Sequence, residues 1–140
     1  VRFTLSVARR RAEPLTLGWL DLDRFKEIND RYGHEEGDKA LKVMAQLMRS
    51  AFREADMLVR FGGDEFAVLF ADTDEQGAWI AMQYLAEQVE SYNARKLHPW
   101  SLHFSWGLSE FDHNGNDLQQ WLKDADEKMY AMKQQRQRAR

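Results

Sequence analysis

Two pairs of carboxylates stand where a folding chain tolerates charge least. Asp21 and Asp23 close the apolar run "LTLGWLDLD", and Asp64 and Glu65 follow two glycines inside "RFGGDEFAVLF". A bare charge in apolar surroundings costs several kcal/mol unless it is paired or bound to a cation. Side chains two apart on a strand share a face, so Asp21 and Asp23 are expected to point together. If the two segments are sheet neighbours, the acids converge. Convergent oxygen ligands without His or Cys suit Mg²⁺, which keeps part of its water and takes substrate phosphates as ligands. The plainer alternatives are that Asp23 caps the helix of "RFKEIND" and that Asp64 shapes a Gly-Gly hairpin turn.

The elements that must position these acids can be read from periodicity. Leu15, Leu17 and Trp19 alternate with Leu20 and Leu22 on the other parity, as in a strand buried on both sides. Ala40, Leu41, Met44, Leu47, Met48, Ala51 and Phe52 form a helical stripe over residues 35–52, and Ala78, Met82, Leu85, Val89 and Tyr92 a second. Met57 to Phe61 and Phe66 to Phe70 read as strands around the Gly62-Gly63 turn. "SLHFSWGLS" alternates as a half-buried strand, and Leu118, Leu122, Ala125, Met129 and Met132 mark a last helix. The order β-α-β-β-α-β-α predicts an α+β fold: a palm or ferredoxin-like two-layer sandwich with a mainly antiparallel sheet and helices packed on it. In this reading the Met and aromatic stripes are core.

Composition narrows the chemistry. The 140 residues suit one domain, and 44% are hydrophobic, too many for a disordered segment. No apolar run is long enough to cross a bilayer. Val1 is not a natural start, so the chain reads as a piece of something longer. The absence of cysteine removes disulfides, thiolate catalysis and zinc-thiolate sites. His34, His98, His103 and His113 lack metal-ligand spacing. A net charge of −3 gives no global field for nucleic acid. Positive charge is local, at Arg9 to Arg11, which are placed in a basic helical piece before Pro14, and at Arg136, Arg138 and Arg140. "GHEEGDK" lacks the spacing of a phosphate loop.

"DLDRFKEINDRYGHEEGDKAL" followed by "RFGGDEF" resembles the GGDEF family of diguanylate cyclases, over about Leu15 to Lys133. The resemblance implies one catalytic domain, residues 1–140, cut from a longer multidomain signalling protein. It implies condensation of two GTP into cyclic di-GMP and two pyrophosphates, with two Mg²⁺ (or Mn²⁺) ions per GTP, on a homodimer whose subunits face each other. By position Asp21, the Leu22 carbonyl and Asp64 match metal ligands, and Asp64 also matches the base for the 3′-hydroxyl. Glu65 takes a supporting metal or catalytic role. Gly62 and Gly63 let the triphosphate approach the backbone. Asn29 and Asp38 match guanine readers; without the resemblance they read as helix-end residues. Lys26 and Lys133 match phosphate contacts, otherwise ordinary surface lysines, and Phe25 packs in the core or near the nucleotide.

The chain departs from the family pattern after Lys133: "MKQQRQRAR" puts Arg136 and Gln137 where a glycine and an arginine are usual, so Arg136 or Arg138 is expected on the terminal phosphate. The segment that usually precedes the first helix is missing. Arg53-Glu-Ala-Asp56 stands where the family binds its product as an inhibitor; the alternative is an exposed ion pair of little energetic value. The resemblance further implies a cytoplasm-facing domain, free or tethered to a membrane through the whole protein, with a sensor or phosphodiesterase domain attached. The alternative function is a weak or inactive module that binds GTP or cyclic di-GMP to regulate an attached domain.

Overall fold

The computed structural model describes residues 13–115 and 117–138, so the basic piece expected before Pro14, and Arg140, lie outside the described residues. The elements are β1 (Leu15–Leu22), α1 (Phe25–Tyr32), α2 (His34–Ala51), β2 (Met57–Arg60), β3 (Glu65–Ala71), α3 (Glu75–Ala94), β4 (Phe104–Glu110) and α4 (Leu118–Arg138). This order has one helix more than the periodicity predicts. α1 stands by itself because Gly33, at φ 94°, breaks it from α2 in a backbone conformation that side chains resist.

The sheet order is β2-β3-β1-β4, with every pairing antiparallel. β1 is central and covered on both faces, which is why both of its parities are apolar. On one face Leu20, Leu22, Phe66, Val68 and Phe70 meet Ala40, Leu41, Met44 and Met48 of α2 and Ala78, Met82 and Leu85 of α3. On the other, Leu15, Leu17, Ala67 and Leu69 meet Trp121 and Ala125 of α4. These are the α+β, palm-like features that the sequence predicts.

β4 differs from the expectation. All of its residues but Glu110 are buried, so it is not half-buried. Ser105, Gly107 and Ser109 are small because α4 lies on them, not because water does. A Cβ on Gly107 would fall 2.3 Å from the Ala125 carbonyl oxygen and 2.4 Å from the Met129 nitrogen. Trp121 Nε1 donates to the Ser109 carbonyl at 2.6 Å and fixes the helix there. No helix among the described residues is long and apolar enough to cross a membrane.

Candidate active site

The end of β1, the turn between β2 and β3, and the last turns of α4 meet at one end of the sheet. Asp21 pairs in register with Glu65, and the Leu22 amide donates to the Asp64 carbonyl at 3.1 Å. The turn is held by Phe61 N donating to Glu65 O and by the Arg60 guanidinium, which donates twice to the Gly63 carbonyl, at 3.0 and 3.3 Å. Gly62 and Gly63 have φ of 49° and 59°, and a Cβ on either would meet nothing within 4 Å. Backbone conformation therefore selects glycine here, and the space over the turn is open.

The Asp21 and Asp64 carboxyl groups lie within hydrogen-bonding reach of each other. As carboxylates neither can donate, and the buried Asp21 Oδ1 is left without a donor. Burial first, and then the neighbouring Asp64 carboxyl, push the Asp21 pKa up to about 7 against the opposing pull of Lys133. Two neighbouring acids, one with an orphaned oxygen, beside the Leu22 carbonyl are a donor set that a hard divalent cation would satisfy. Among the described residues no cluster of three or more acids or histidines could hold a metal. An ion on this pair would thus take its other ligands from water and substrate.

Lys133 Nζ lies 2.6 Å from Asp21 Oδ2 and 3.4 Å from the Leu22 carbonyl oxygen. One turn further along α4, Arg136 donates to the Phe104 carbonyl and sits 3.4 Å from Asp23 Oδ2. Asp23 lies just past the last paired residue of β1; its amide donates to the His103 carbonyl at 2.7 Å, and its carboxylate accepts from Oγ of Ser105, the residue paired with Asp21, at 2.7 Å. It does not cap α1, the plainer alternative, because the first turn follows Arg24 at φ 56° with no side-chain cap. Glu65 Oε1 accepts from Trp19 Nε1 at 3.3 Å, and the Trp19 ring stacks on Phe61.

The helix pair beside the turn carries the other expected contacts. Asn29 is half-buried on α1, with its Oδ1 pressed against Gly37 of α2: a Cβ on Gly37 would come within 1.8 Å of it and 3.4 Å of the Phe25 ring. Phe25 packs partly buried against the larger core, while Lys26 and Asp38 are exposed. A cavity of about 300 Å³ between α2 and the hairpin is lined by Leu41, Lys42, Arg49, Arg60 and Phe66, among others. Gly37, Arg60 and Trp19 escaped the sequence reading. Only Gly37 left a signal, a helix-weakening residue inside a strong helical stripe.

Arg53 and Asp56 lie beyond the C-terminal end of α2. Asp56 accepts from the Arg53 backbone and guanidinium, and Arg53 also donates to Ala71 O at 2.6 Å and Thr73 Oγ1 at 2.9 Å. The Asp56 side chain is 3% exposed and the Arg53 side chain 56%, so the pair offers its cationic edge. A cavity of about 320 Å³ beside it is lined by Arg49, Phe52, Arg53 and Asp56, among others.

The family model described as "Diguanylate cyclase, GGDEF domain" matches residues 2–139, and the chain belongs to that family. It is 34% identical over 125 residues to the probable diguanylate cyclase DgcC of Escherichia coli, covering 89% of this chain and 34% of that protein. It is 36% identical over 121 residues to the cyclic di-GMP phosphodiesterase NbdA of Pseudomonas aeruginosa, covering 86% of this chain and 16% of that protein. Among solved structures, a microbial GGDEF domain described in its interaction with bis-(3,5)-cyclic di-GMP superposes with a TM-score of 0.79 at 30% identity. That match covers 94% of this chain and 80% of the other. The chain thus spans well under two thirds of the curated relatives it matches.

Proposed function

We propose that this domain is a diguanylate cyclase that condenses two GTP into cyclic di-GMP and two pyrophosphates. The observation that carries the reading is the strand register that sets Asp64 beside the end of β1, through the Leu22 amide bond to its carbonyl, with Asp21 Oδ1 buried and unpartnered. Lys133 satisfies only Asp21 Oδ2; a second buried carboxylate oxygen left open beside another acid and an open glycine turn suits a cation and a phosphate. The ions, Mg²⁺ or Mn²⁺ held by Asp21, Asp64 and the Leu22 carbonyl, would neutralise phosphate charge and acidify the attacking hydroxyl.

The chain's own groups supply the rest. Asp64 accepts the proton of a 3′-hydroxyl as its oxygen bonds to the α-phosphorus of a second GTP and the bond to pyrophosphate breaks. A second such transfer closes the ring. Glu65, fixed by Trp19, supports the charge balance of the site. Gly62 and Gly63 admit the triphosphate, and Lys26, Lys133 and Arg136 meet its oxygens. The Asp38 carboxylate accepts from the guanine N1–H and amino group, and Asn29 both accepts from and donates to the guanine edge; adenine offers no matching donor pair and would leave them unpaired. Because each GTP must reach the other's phosphorus, two copies face each other. Product bound at Arg53 and Asp56 holds the copies apart. The domain works in the cytoplasm, within a longer protein that carries a sensor or phosphodiesterase domain.

One observation favours the second reading, a module that binds GTP or cyclic di-GMP without turnover. Arg136 is engaged by Phe104 O and Asp23. Incubating the chain with GTP and Mg²⁺ and separating the products distinguishes the two. The cyclase yields cyclic di-GMP with two pyrophosphates, lost in Asp64→Asn. Unchanged GTP from the wild type refutes the cyclase and leaves the module.

A further inference from the structure

Lys133 touches the oxygens that a cation at this site needs. Its ammonium is 2.6 Å from Asp21 Oδ2 and 3.4 Å from the Leu22 carbonyl oxygen. The Lys133 side chain is only 20% exposed and that of Asp21 13%, so the contact is weakly screened. It is also incomplete. One positive charge faces two carboxylates, and Asp21 Oδ1 still has no donor. The helix behind the lysine is fixed: Met129 is buried one turn before it, and Met132 gives its sulfur to the Trp106 amide. Arg136, one turn further on, is bonded to the Phe104 carbonyl and Asp23 and is not the group on Asp21 or Leu22. The flexible stem of Lys133 is what can carry its charge away.

We propose that Lys133 is a built-in substitute cation, which holds the Asp21–Leu22 position until a divalent ion arrives together with a triphosphate. This inference rests on the cyclase reading above. A divalent ion and an ammonium cannot share Asp21 Oδ2 and the Leu22 carbonyl, because like charges at such separation repel strongly. A free ion must therefore evict the lysine into solvent. An ion carried by a nucleotide brings phosphate oxygens that accept the displaced ammonium, a point charge on a four-carbon stem. Metal and nucleotide then bind with positive coupling, and each strengthens the other by the same factor. The lysine thus positions its charge for whichever ligand is present, and it selects the loaded nucleotide over the bare ion.

The test measures Mn²⁺ binding to the 140-residue chain by electron paramagnetic resonance, with no nucleotide, at one pH for every variant. Lys133→Met keeps the stem and removes the charge. It is expected to bind Mn²⁺ about tenfold tighter than the wild type, the scale of one lost ion-pair competitor. Lys133→Arg keeps the charge and should stay weak, which separates charge from packing. Adding Asp21→Asn to Lys133→Met should abolish the gain. A non-hydrolysable GTP analogue should tighten Mn²⁺ binding in the wild type more than in Lys133→Met. Equal nucleotide-free affinity in wild type and Lys133→Met overturns the exchange; if the analogue and Mn²⁺ still bind, the cyclase reading survives it. If neither protein binds Mn²⁺ even with the analogue, both fall.

Discussion

Ionising Asp21 works against the fold, because burial and the Asp64 carboxyl both favour its protonated form. Its pKa rises from the usual 3.8 to about 7, so the native state binds this proton more tightly than the unfolded chain does. Below the unfolded value the contribution is fully present; it is lost as pH rises through the folded value. In metal-free buffer, the stability of the wild type relative to Asp21→Asn should therefore fall between about pH 4 and pH 7 and then level off, a difference on the order of 1–3 kcal/mol. Urea unfolding of both proteins across that range checks this, and a pH-independent difference contradicts it. Gly37 carries a second prediction. A Cβ there strikes Asn29 Oδ1, the end of a movable side chain, while alanine favours the helix by roughly 1 kcal/mol. Gly37→Ala should keep or raise the melting temperature yet weaken GTP binding about tenfold, the scale of one lost base contact. Titration calorimetry reads the loss, and unchanged affinity would remove Asn29 from the guanine site. The convergence of Asp21 and Asp64 was legible because strand-end acids and a glycine turn leave few alternatives. That Asp23 bonds Ser105 and Arg136 instead of capping α1 was not, since residue types do not reveal that a left-handed Arg24 starts the helix. Lys133 resembles any surface lysine until the sheet end that it reaches is known.

At the scale of elements, α4 has to deliver Lys133 and Arg136 to the β1 end, and it does so by resting its backbone on Gly107. The two nearest atoms a Cβ would meet there are main-chain atoms, which cannot rotate away. Gly107→Ala should cost about 1–3 kcal/mol through overpacking. Because the same shift moves Lys133, turnover should fall further than the lost stability explains. Urea unfolding beside turnover at a temperature where the variant is folded separates the two effects. A variant of normal stability and rate would show that α4 can be displaced freely. The helical stripes of α2 and α3 were legible because three- and four-residue spacing is a sufficient cause of a buried face. β4 misled because small residues facing a close-packed helix look like small residues facing water. α1 is missing from the order that periodicity predicts because its eight residues, cut off by a single glycine, are too few to show a stripe.

For the whole molecule, the proposed chemistry needs two nucleotides, and one site supplies a single pair of neighbouring acids. Turnover per chain should therefore rise with protein concentration over a roughly hundredfold range, as expected for an assembling dimer. A constant rate per chain would place both substrates on one copy. Cyclic di-GMP should bind the wild type and lose affinity in Arg53→Ala by tenfold or more, in keeping with loss of a charge-assisted contact of about 1.5–3 kcal/mol. Equal titration curves would leave Arg53 and Asp56 as a structural pair that ties the end of α2 to Ala71 and Thr73. If Asp21 and Asp64 jointly hold the ion that the triphosphate needs, crystals of this chain grown with Mn²⁺ and a non-hydrolysable GTP analogue will reveal it through the anomalous signal of the metal. Manganese is expected on both carboxylates, with Lys133 moved from Asp21 onto a phosphate. Bound nucleotide with manganese elsewhere, and the Asp21–Lys133 contact intact, would contradict it.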